Sequence, residues 1–248
     1  SADVHWLLRD GSGAENMAVH WQFREGEPVK IRLVNPMNGA HPMQHPIHFH
    51  GQRFVVAAID GKPRRQVVEG AISALKALWH RGAVDADGKT GDGAGLHVQI
   101  PQEFFKEHIR RTGHEPQQKD LAIGMVFLPR QDLGAQERCR EIVESQILKY
   151  GHAIYGWRQV PVNTDVVGEK ANATRPEIEQ IMITNARGVS NIRFERDLYV
   201  IRRRIEKAIL AENIVGFYIC SFSCRSVIYK GMFLAEQLTA FYPDLLDE

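Results

Sequence analysis

Three histidines fall within six positions of one another in the run His-Pro-Ile-His-Phe-His-Gly, from His45 to Gly51. On an extended strand His48 and His50 share a face, about 7 Å apart along the chain. Pro46 bends the backbone between His45 and that pair, so one imidazole can face a different metal from the other two. Neutral imidazole suits copper, zinc, iron and nickel. His45, His48 and His50 are therefore candidate metal ligands, and the alternative is a cluster that holds no physiological metal. Six of the eleven histidines (His5, His20, His41, His45, His48 and His50) lie in the first fifth of the chain, an asymmetry that suggests two parts of different origin.

Other residues could also do chemistry. Cys139, Cys220 and Cys224 are too few for a disulfide framework. Cys220 and Cys224 have equal parity and would share a face of an unbroken strand. Without nearby histidine they are an incomplete zinc set and read first as small buried hydrophobes. Asp85, Asp87 and Asp92 hint at a calcium loop but lack its terminal glutamate, which favours a solvated loop. Asn172-Ala-Thr174 matches a glycosylation sequon, and Arg202–Arg204 reads as a solvated helix face with Ile201 and Ile205 turned inward.

Residues 1–56 read as β-structure, with Val29–Val34 alternating apolar and charged, a turn cluster at Asn35–Pro42 and a strand resuming at 48–59, interrupted by Gly51. From Val56 helices and strands alternate. Helices are expected at 67–83, Pro101–Arg111, 136–150, Arg193–Ala211 and, broken by Pro243, 233–247. The 67–83 helix carries a stripe of Val68, Ile72, Leu75 and Leu78 or Trp79. The clearest helix repeats Phe194, Leu198, Ile201, Ile205 and Ala208 at three- and four-residue steps. Strands are expected at Leu96–Ile100, 121–129, 154–162, 178–184, 217–224 and 226–231, with a glycine-rich turn at Asp87–Gly95.

The stretch NPMNGAHPMQHPIHFHGQRFVV resembles the C-terminal cupredoxin domain of multicopper oxidases, over about residues 3–55. The resemblance implies that His45 serves the type 1 copper and His48 and His50 the trinuclear centre. Copper is then the cofactor the cluster would take, although none is firmly implied. The chain has no His-Cys-His, whose thiolate conducts electrons in that family, so a complete blue-copper oxidase is excluded.

Residues 56–248 resemble the N-terminal type 2 glutamine amidotransferase domain of the bacterial glutamate synthase large subunit. AAIDGKPRR, ALWHRGAVDADGKTGDGAG, YGWRQVPV, GEKANATRPEIEQIMI, RRRIEK and IYKGMFLAEQL carry it together. The resemblance implies an α+β fold, an incomplete N-terminal-nucleophile-type αββα sandwich preceded by a cupredoxin-like β segment. It implies release of ammonia from glutamine, the parental substrate. In the family the nucleophile is an N-terminal cysteine whose own free amine acts as base. A gapless alignment back from AAIDGKP puts that position on Gly51, which has no thiol and, inside the chain, no free amine. The oxyanion-hole Asn-Gly pair and the glutamine-binding arginine of the family come later than Glu248. The expectation is a domain truncated at both ends and inactive, completed if at all by a partner chain. Arg81 reads as structural.

Net charge is +1, so no basic surface argues for nucleic acid, and no apolar run approaches the roughly 20 residues of a membrane span. No signal peptide is visible in the first residues. The larger segment implies a cytoplasmic location, the oxidase-like one a periplasmic or secreted one. Three readings stay open: a non-catalytic amidotransferase domain, a metal-binding module, and an artificial fusion with no function as a unit.

Overall fold

The computed structural model describes residues 64–77, 84–116 and 121–246, together with Ser12. The chain divides into two units, Ser1–Arg53 and Phe54–Glu248, and the described residues other than Ser12 all belong to the second. The strands expected at Val29–Val34 and beyond His48, and the end of the first expected helix, lie outside the described residues.

The second unit is α+β with two sheets. Four antiparallel strands run in the order β3-β4-β2-β5: β2 is Leu121–Leu128, β3 Ala153–Gln159, β4 Glu177–Thr184 and β5 Tyr218–Ser223. β1, Ala94–Gln99, pairs antiparallel with β6, Ser226–Gly231, in a separate two-stranded ladder. The central strand β2 is apolar at every position because both of its faces are covered. Ala122, Val126 and Leu128 join one core cluster with residues of α3 (Leu133–Lys149) and α5 (Asn191–Ala211). Leu121, Ile123 and Met125 join a second cluster with Leu96 of β1, Val227 and Tyr229 of β6, and residues of α1 (Arg65–Ala77) and α2 (Gln102–Arg111). Helices thus pack on one face of the large sheet, and the small ladder with further helices on the other. No described helix is long and apolar enough to cross a membrane.

The helices follow local signals. Ser190 caps α5 by accepting from the Arg193 amide at 3.4 Å, and Phe194, Leu198, Ile201 and Ile205 are fully buried, as their spacing requires. Asp132 caps α3 through the Ala135 amide at 2.9 Å, which starts that helix at Leu133, before the expected 136. Gly151, at φ +86°, ends it in the left-handed conformation a side chain disfavours. β1 begins at Ala94 rather than Leu96, because Gly95 pairs with Lys230 and belongs to the ladder, not to the turn.

Two expectations are corrected. The helix expected at 233–247 is a 3₁₀ turn at Ala235–Gln237, a short α6 at Leu238–Phe241 and another 3₁₀ turn at Pro243–Leu246. Tertiary bonds set this path: the Gln237 side chain accepts from the Leu234 amide and donates to the Val166 carbonyl, both at 2.6 Å, while Pro243 blocks continuation. Cys220 and Cys224 do not share a face. A bulge where Met125 and Val126 face Ser221 and Ile219 leaves Cys220 unpaired, and β5 ends at Ser223. Cys220 then joins one core cluster and Cys224 packs against the other.

Gly124 sits at the middle of β2, opposite Ile181 and Phe222. A Cβ there would lie 2.6 Å from the Phe222 ring and 2.7 Å from the Ile181 methyl, in the core beneath α3 and α5. Gly124→Ala is expected to destabilise the unit by about 1–3 kcal/mol through overpacking. Urea denaturation measures this, and a variant as stable as the parent would show that the core yields.

Candidate functional site

The predicted ligands His45, His48 and His50 lie outside the described residues, as do Gly51 and Arg81. Among the described residues no group of three or more His, Cys, Asp or Glu side chains gathers as a metal site. The Asp85–Asp92 loop has other business. Asp87 accepts from the Thr90 hydroxyl at 2.6 Å and from the Thr90 and Lys89 amides, which holds its carboxyl below the usual range. Asp85 pairs with Lys170 at 2.6 Å, with the same effect on its carboxyl. The loop is therefore fastened to α4 (Glu169–Thr174) rather than merely solvated. At Gly168 a Cβ would meet the Asp87 carboxylate at 2.1 Å, so any side chain there would have to displace Asp87 and Thr90.

No cysteine is poised as a nucleophile. Burial pushes Cys139 and Cys220 each up to about 11. Cys224 is pushed up to about 12 by burial and by its bond to the Glu195 carboxylate at 3.1 Å. Such thiols hold almost no thiolate near neutral pH. The sequon asparagine Asn172 lies in α4 and accepts from Arg175 at 3.3 Å. Of the Arg202–Arg204 run, Arg202 reaches inward to the Ile219 carbonyl at 2.9 Å, so the run is not wholly a solvated face.

Two features were not legible in the sequence. The first is a buried polar network beside the small ladder. Arg158 of β3 grips Asp244 with two bonds of 2.6 and 2.7 Å and donates to Gln180 of β4 at 2.8 Å. Gln180 donates to the Tyr229 hydroxyl at 3.1 Å, which donates on to Asp244 at 3.2 Å. The Arg158 Nε donates to His108 Nε2 at 3.2 Å, so His108 acts there as a neutral acceptor. Burial, then the Arg158 charge, keeps the His108 pKa below the ordinary value. The second feature is a cleft of about 400 Å³, open solvent included, whose lining includes Phe127, Ile178, Met232, Phe233, Phe241 and Tyr242, with Arg175 and Lys230. Each feature gathers residues from distant parts of the chain, and no spacing signals either.

Two family models match the chain, over ranges that overlap at residues 51–80. The family model for class-II glutamine amidotransferases matches residues 51–248. The model for multicopper oxidases matches residues 4–80, under a third of the chain. The chain is 70% identical over 193 residues to the glutamate synthase [NADPH] large chain of Azospirillum brasilense, covering 78% of this chain and 13% of the relative. It is 42% identical over 191 residues to ferredoxin-dependent glutamate synthase 2 of Synechocystis sp., covering 77% and 12%. It is 36% identical over 193 residues to the Bacillus subtilis glutamate synthase [NADPH] large chain, again covering 77% and 12%. The chain thus spans about an eighth of the length of these curated relatives.

Proposed function

The chain belongs to the class-II glutamine amidotransferases, and from that premise we propose that residues 51–248 are the glutamine-hydrolysing portion of a glutamate synthase large chain in a form that does not hydrolyse glutamine. The observation that carries this is the residue at the start of the matched range: Gly51 stands where a gapless reading back from AAIDGKP puts the nucleophile. The class needs a side-chain nucleophile and a free amine on one residue, and glycine within a chain supplies neither. The two-sheet scaffold supports the assignment of the domain, and the high pKa of all three cysteines argues against a substitute. Ammonia release from glutamine is the measurement that tests it. Glutamine as ligand, a cytoplasmic location and a partner chain that completes the domain belong to the same proposal.

A second reading attaches to residues 4–80, where the multicopper oxidase match includes His45, His48 and His50. We infer at most a modest site for one divalent ion, with His48 and His50 as the pair and His45 joining incompletely. Both imidazoles must be deprotonated to bind, so affinity falls as pH drops below about 6.5. Calorimetric titration of copper is expected to give heat that the His48→Ala, His50→Ala double variant loses. Equal heats from both proteins would end the metal reading.

A further inference from the structure

The cleft offers two surfaces of different chemistry. Its walls are Phe127 at the end of β2, Ile178 of β4, Met232 and Phe233 beyond β6, and Phe241 and Tyr242 at the end of α6. Two cations are also in the lining, Arg175 after α4 and Lys230 of β6. Arg175 bonds only to neutral acceptors, the Asn172 side chain at 3.3 Å and the Pro176 carbonyl at 3.4 Å. Lys230 bonds to the Tyr218 hydroxyl at 2.8 Å and lies 4.3 Å from the centre of that ring. Among the described residues neither forms an ion pair. A third cation, Arg130, reaches the Asn172 carbonyl at 3.3 Å and also forms no ion pair among the described residues. The nearby acid, Glu177, accepts instead from Gln159 at 2.6 Å. Burial and then the Arg130 charge disfavour the charge on Arg175, and Glu177 offsets this only in part.

We propose that this cleft binds an amphiphilic carboxylate, with an aliphatic tail against the aromatic wall and the carboxylate toward Arg175 and Lys230. The tail gains free energy by leaving water, at about 25 cal/mol per Å² of apolar surface buried. A guanidinium fork matches a carboxylate in geometry and charge. A monoanion is favoured over a phosphate dianion because the apolar walls make each further charge costly to desolvate. The site is independent of glutamine hydrolysis and needs no residue assigned to it.

Sodium octanoate titrated into the full chain by calorimetry tests the proposal, beside acetate, octan-1-ol and octyl phosphate. Saturable binding at one site is expected for octanoate, with acetate and octanol each at least tenfold weaker. In Arg175→Gln, Lys230→Gln protein octanoate should fall to the affinity of octanol, while octanol is unchanged; circular dichroism checks that this variant is folded. Octanol binding as tightly as octanoate would reduce the site to an apolar surface. Tighter binding of octyl phosphate would make it a phosphate site. Absence of saturable octanoate heat overturns the proposal outright. These ligand comparisons use the unaltered protein, so they decide the matter even if the variant does not fold.

Discussion

Incubated with glutamine, the purified chain is expected to release ammonia no faster than the uncatalysed reaction. Hydrolysis in this class proceeds through a thioester, which needs a thiolate at the reacting carbonyl and a base beside it. Removing a catalytic nucleophile costs on the order of a millionfold in kcat where it has been measured in a hydrolase. On the proposed reading Gly51 stands at that position and supplies neither. The remaining thiols offer no detour: Cys139 and Cys220 are buried, and Cys224 donates to Glu195, which favours its protonated form. Ammonia is followed in a coupled assay. Turnover that co-purifies with the chain, and that is abolished by alkylating Cys139, Cys220 or Cys224, would sink the non-catalytic reading.

Asp244→Ala is expected to cost about 3–5 kcal/mol of folding stability, because it leaves the Arg158 guanidinium buried without its carboxylate. The Arg158 and Asp244 side chains are only 10% and 5% exposed, so water cannot replace the lost partner. The pair also ties the last turn, Pro243–Leu246, to β3 and through Gln180 and Tyr229 to β4 and β6. For a unit of this size each kcal/mol lowers Tm by about 2–4 °C, so the loss should be plain in both urea and thermal melts. Replacing both partners with apolar residues, Arg158→Met with Asp244→Leu, should recover most of that loss, since it removes the desolvated charge along with its mate. Tyr229→Phe should cost less, about 1–3 kcal/mol, by leaving the Gln180 amide donor unsatisfied and removing one bond to Asp244. An Asp244→Ala variant within about 1 kcal/mol of the parent would mean that the ion pair is open to solvent in solution.

Much about this protein was decided within a few residues and could be read there. The stripe of Phe194, Leu198, Ile201 and Ile205 marks α5 because a helix returns a side chain to the same face every three or four residues. The unbroken apolar run of β2 marks a strand covered on both sides. The tertiary structure alone decided the rest. One bulged residue in β5 sent Cys220 and Cys224 to opposite cores, although their spacing promised one face. The side-chain bonds of Gln237 to Leu234 and Val166, with Pro243 beyond, replaced one expected helix by a short α-helix between two 3₁₀ turns. The Arg158–Asp244 pair spans 86 positions and the charged cleft joins β2, β4, β6 and α6. Such groupings depend on strand register and on where loops return the chain, and those are set by the packing of the whole unit rather than by any local spacing.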